Sequence, residues 1–139
     1  MSSIWDQAAG TQPRFNFQEF VPFKSLENLD IYILARWTHQ SQYGPETTFV
    51  FAIEGKQVPV VLATSTSATV PVKQLEFVQT RGLLPQHARL VKVVSEKAQS
   101  GYIWKLVASK ADADTRRRLE NAARAAEASD ETLPDDLPF

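Results

Sequence analysis

ATVPVKQLEFVQTRG, residues 68–82, breaks the two-residue rhythm of the segments before it. Val72, Leu75 and Val78 recur every third position, a spacing that lines one side of a helix and not one face of a strand. Pro71 stands where a first helical turn tolerates a missing N–H, and Gly82 stands where a helix commonly stops. The stretch predicts one short helix.

Three strand-like segments precede it. Ile31, Tyr32, Ile33 and Leu34 begin a run of β formers that continues through Trp37. Gly44 and Pro45 supply turn chemistry, after which TTFVFAIEG (47–55) and KQVPVVLATS (56–65) read as two strands joined in a hairpin through EGK. Two more follow the helix, HARLVKVVSE (87–96) and GYIWKLVAS (101–109), across the turn KAQSG. FNFQEFVPF (15–23) alternates only in part and breaks at Pro22, which suits an edge strand or an extended arm that pairs copies of the chain into a homo-oligomer. Three strands, a helix and two strands form the order of a five-stranded, all-β Greek-key barrel of the oligonucleotide/oligosaccharide-binding (OB) type, with its helix between strands three and four.

Composition sets outer limits. With 139 residues, 43% hydrophobic content and three Trp, the chain suits one compact core. No stretch reaches the about 18 to 20 uninterrupted apolar residues of a membrane span, and MSSIWDQAAG lacks the pattern of a secretory signal. Absence of cysteine excludes disulfides and thiolate metal sites, and accords with a cytoplasmic location. His39 and His87 stand far apart without a ligand pattern, and no nucleophile elbow, P-loop or dinucleotide fingerprint occurs. The expectation is a protein that is not an enzyme and holds no metal or cofactor.

Charge divides the chain near Lys110. Residues 1–110 carry eleven Lys and Arg against eight Asp and Glu, whereas residues 111–139 carry four against eight. A mildly basic body joined to an acidic end suits a polyanion-binding module with a charged tail. The join itself, DADTRRRLENAARAAEAS (112–129), is rich in helix formers, with Asp112 or Asp114 as a cap. Its apolar stripe of Leu119, Ala122, Ala123 and Ala126 is thin, so the expectation is a marginal helix or a flexible connector. The chain thus divides into a barrel domain over 1–110 and a connector with an acidic tail over 111–139.

The last five residues, Asp135, Asp136, Leu137, Pro138 and Phe139, resemble the acidic tip of bacterial and phage single-stranded DNA-binding proteins. The resemblance implies sequence-independent binding of single-stranded DNA during replication, recombination or repair. It also implies a tip that recruits partner enzymes. Physically, Phe139 offers a ring and a terminal carboxylate at one point, Pro138 limits the conformations lost on docking, and the aspartates attract a basic rim.

Single strands are held by stacking bases on aromatic rings while cations track the phosphates. The stacking candidates are Trp37, Tyr43, Phe49, Phe51, Tyr102 and Trp104, and the phosphate candidates are Arg36, Lys56, Lys92 and Lys105. On the fifth strand Ile103 and Val107 share one face, and Tyr102, Trp104 and Leu106 the other. With the first set turned to the core, Tyr102 and Trp104 face outward. An RNA-binding regulator and a protein-interaction module built on the same barrel are the alternative readings.

Overall fold

β1 (Asp30–Ser41) is the spine of the fold in this computed structural model, which describes residues 15–42 and 44–127. It pairs antiparallel with β2 (Gly44–Ile53), and its first four residues pair also with β4 (Gln86–Val94). β3 (Val60–Thr66) lies beyond β2 and β5 (Tyr102–Val107) beyond β4, giving the order β3-β2-β1-β4-β5 with every neighbour antiparallel. β3 and β5 are the two edges, so the sheet is open. Among the described residues the molecule is mostly β, with two α-helices.

The first helix, α1 (Thr69–Thr80), lies between β3 and β4. It ends as its glycine predicts. Gly82 adopts φ +67, its N–H donates to the Gln79 carbonyl at 3.0 Å, and the Leu83 N–H reaches back to Val78 at 2.8 Å. This paired closure satisfies carbonyls that the last turn leaves over. In the β2–β3 hairpin, a side chain at Gly55 would press into the Val58 carbonyl, so the turn accepts no Cβ there.

Two apolar clusters sandwich the sheet. On the inner face Ile31, Ile33, Phe49, Phe51, Ile53 and Leu90 pack with Leu75 of α1 and with Leu26. On the outer face Leu34, Val50, Ala52, Val61 and Ala63 pack with Leu119 and Ala123 of a second helix, α2 (Ala113–Ala126). Leu34 joins the outer cluster in step with Tyr32, and a β-bulge between Ile33 and Ala35 then shifts the alternation of β1, so that Arg36 stands opposite Phe49 of the inner face.

α2 departs from the expected marginal helix or connector. Asp112 caps it by accepting the Thr115 N–H at 2.7 Å, Arg118 reaches Glu54 at 3.0 Å and His87 reaches Glu120 at 3.1 Å. Leu119 is fully buried, a burial that contributes about 1.5–3 kcal/mol. A thin apolar stripe suffices because the sheet beneath it presents alanines and valines, which let the helix approach closely.

The segment FNFQEFVPF forms an arm alongside β3. The Gln18 N–H donates to Val61 at 2.9 Å, the Ala63 N–H to Glu19 at 3.0 Å and the Val21 N–H to Ala63 at 2.9 Å. The chain thereby covers that edge of its own sheet, which elsewhere would be open to another strand. At the start of the arm Phe15 bridges Glu127, and the Asn16 N–H donates to the Ala126 carbonyl at 2.8 Å.

Candidate nucleic-acid interface

β4 and β5 run past the inner core as a two-stranded ribbon. Leu90 faces Leu106 where the ribbon is still buried, then Lys92 faces Trp104 and Val94 faces Tyr102. Side chains two apart share a face, so Lys92, Trp104 and Tyr102 continue the core side beyond the point where the core ends. The expected orientation of β5 is therefore reversed. Leu106 and Trp104 pack against the inner cluster, and Ile103 and Val107 occupy the opposite face. The reason is register: Leu106 sits across from the fully buried Leu90, and that pairing sets the parity of the strand.

At this end the aromatic rings keep part of their surface open. Tyr102 and Trp104 are half-buried and meet edge to face, with centroids 6.0 Å apart at 88°. Phe23 supports Trp104 from behind at 5.6 Å. The Lys92 ammonium lies 4.2 Å from the Tyr102 ring centroid and 5.1 Å from that of Trp104. An ammonium over a ring face is attracted by its quadrupole, so the aromatic pair holds the cation in place. Glu27 balances it from 3.8 Å, an exposed contact worth little in water. Asn28, at φ +62, turns the chain beside Leu90 and so delivers Glu27 to Lys92.

Phe23 and Glu27 were not among the sequence candidates. Phe23 opens a 3-10 turn, Phe23–Leu26, and Glu27 caps its end; the one early sign of the turn is Pro22 before an aromatic residue.

Other candidates fall elsewhere. Phe49 and Phe51 are fully buried on the inner face and present no surface to a base, which corrects their reading as stacking residues. β2 is covered on both sides, by the core on one and α2 on the other, so its alternation carries no exposed face. Trp37 lies on the outer face across from Thr48, half-buried against the cluster beneath α2 and apart from the Lys92 group. Tyr43 lies outside the described residues, as do Asp135, Asp136, Leu137, Pro138 and Phe139 of the tip.

Arg36 is likewise corrected as a phosphate ligand. Only 7% of its surface is exposed. Its guanidinium donates to Gln79 Oε1 at 2.8 Å, Thr38 Oγ1 at 2.6 Å and Thr47 Oγ1 at 3.2 Å, and Gln79 returns an amide N–H to the Arg36 carbonyl at 3.1 Å. Burial lowers its pKa, with Glu76 opposing the shift. The side chain ties the end of α1 to β1. Lys56 is exposed in the β2–β3 turn, and Lys105 is exposed on the face of β5 opposite Trp104.

On the outer face a second titratable group forms around Tyr32. Its ring lies 4.2 Å from that of His87, and its pKa is raised by burial first and by Glu120 second, with Arg124 opposing. This group fastens α2 to the sheet. Among the described residues no cluster of His, Asp and Glu offers a metal site, and no helix is long and apolar enough to cross a membrane.

No protein-family model, curated protein or solved structure matches this chain.

Proposed function

We propose that this protein binds single-stranded DNA without reading its sequence, through an OB-type body, and recruits partner enzymes through its acidic tip. The observation that carries the reading is the Lys92, Tyr102 and Trp104 group, a cation held over two half-open rings at the free end of a β ribbon. Stacking on such rings contributes roughly 1–3 kcal/mol per base, and the adjacent ammonium neutralises a phosphate. The strand order β3-β2-β1-β4-β5 with a helix between β3 and β4 supports the OB reading, as does a site beside the loop between strands four and five. The tip resemblance at Asp135–Phe139 supports the recruitment half.

Intrinsic tryptophan fluorescence during titration with oligo-dT tests the reading. Trp104 emission is expected to quench, with an affinity that falls steeply as salt rises. A flat trace at low salt overturns it. Equal or stronger binding of oligo-rU moves the function toward RNA.

A further inference from the structure

One face of α1 carries an exposed row that the platform on β5 does not use. Half-buried Val70, exposed Lys73 and Phe77, and exposed Arg81 at the cap just past the helix are spaced by three, four and four residues, which places them on the same side. Phe77 is 51% exposed, although the same helix buries Leu75 completely. The Arg81 guanidinium lies over the Phe77 ring, 3.7 Å from its centroid. Among the described residues, then, a cation is stacked over an aromatic ring in two places, by Lys92 over the half-buried platform rings and by Arg81 over exposed Phe77.

The two places are joined. A cleft of about 250 Å³ separates β5 from the first turn of α1, lined on one side by Tyr102 and Trp104 and on the other by Thr69, Val70 and Pro71. Half-buried Val70 thus belongs to the wall of the aromatic platform and leads into the exposed residues that follow it. From Val70 to Phe77 the helix advances about 10 Å. Lys73 stands between them with its side chain exposed. The neighbouring acid, Glu76, is exposed as well and acts electrostatically on Arg36.

We infer that α1 carries a second nucleic-acid station: a single strand bound at Tyr102 and Trp104 crosses the cleft, passes Lys73 and stacks another base on Phe77 beside Arg81. The inference rests on the proposed binding of single-stranded DNA and adds its path. Charge favours this occupant, because Lys73 and Arg81 flank the ring at phosphate-accessible positions. An arginine plane stacked on an aromatic ring is also a surface on which a base can continue the stack.

The test compares wild-type protein with Phe77→Ala, Arg81→Ala and Trp104→Ala in titrations with oligo-dT of increasing length, each variant first checked by circular dichroism and thermal unfolding. Phe77→Ala is expected to weaken binding of long oligonucleotides about tenfold and to leave the shortest bound ones unaffected. Arg81→Ala is expected to reduce the salt slope by about 0.7, the share of one phosphate contact on a single strand. If Trp104→Ala weakens binding while both α1 variants match wild type at every length, the second station is wrong and the platform stands. If wild-type protein binds no oligo-dT at all, the function itself falls, and the station with it. Should Phe77→Ala change sedimentation of the free protein but not DNA affinity, the face is a contact between copies and the inference is overturned.

Discussion

Gln74 closes the edge of β5 at Leu106. Its side-chain amide donates to the Leu106 carbonyl at 2.8 Å and accepts the Leu106 N–H at 2.8 Å, the two bonds that a neighbouring strand would make. One residue of α1 thereby stands in for a missing strand. It protects an edge that would otherwise offer itself to another chain.

Gln74→Ala removes both bonds and leaves a part-buried N–H and carbonyl unpaired. Unmade bonds of this kind cost about 1–3 kcal/mol each, so the variant is expected to unfold at a lower urea concentration with an unchanged denaturant slope. An unaltered midpoint would mean that water replaces the glutamine without loss.

Lys92 and Arg36 separate a binding cation from a structural one. Lys92→Ala is expected to weaken oligo-dT binding and lower the salt slope by about 0.7. Arg36→Met, which keeps the length of the side chain but removes its hydrogen bonds, is expected to alter thermal stability and leave the salt slope at its wild-type value. Loss of slope in the Arg36 variant would return that residue to the interface.

Leu119→Ala tests whether α2 is part of the folded body. A fully buried leucine truncated in a packed site costs about 2–5 kcal/mol, and the loss is expected as a fall in the unfolding midpoint by chemical denaturation. A surface connector would give a change within the error of the measurement.

Acid tests the cap of the same helix. The Asp112 carboxyl is held below the ordinary aspartate value, about 3.9, chiefly by accepting the Thr115 backbone N–H. A depressed carboxyl contributes stability that is complete above its unfolded value and is lost as pH falls through the folded one. Helical ellipticity is therefore expected to decline as pH drops below about 3.9, and Asp112→Asn, which keeps an accepting oxygen, is expected to flatten that part of the profile. Identical acid profiles for the two proteins would show that the cap is not what titrates.

Much of the element order was readable from local chemistry. Val72, Leu75 and Val78 announced α1, Gly82 its end, and Glu54 to Lys56 the β2–β3 turn, because each signal acts within a few residues of itself. Distant contacts were not readable in the same way. Phe49 and Phe51 alternate like a half-exposed strand, and only the approach of α2, about 70 residues later, closes the other face of β2. Both faces of β5 are apolar enough for a core, so the choice between Ile103 and Trp104 was made by pairing with Leu90. Arg36 beside Trp37 reads as an open cation, and the bulge at Ile33/Ala35 is what turns it toward Gln79. Within the site, the aromatic and cationic residues were visible singly. Their meeting at Lys92 depends on the register of two strands.

The bridge between Phe15 and Glu127 puts the entrance and the exit of the described chain at one corner. A circular permutant could therefore be made by a short splice at that corner and reopened in an exposed turn such as the one near Lys97, with every strand pairing preserved. An affinity handle or fluorophore attached at residue 15 or at residue 127 would start from the same spot. A reporter pair, one dye at residue 15 and one at residue 127, would read changes at that corner alone and stay blind to motion at the β4–β5 ribbon.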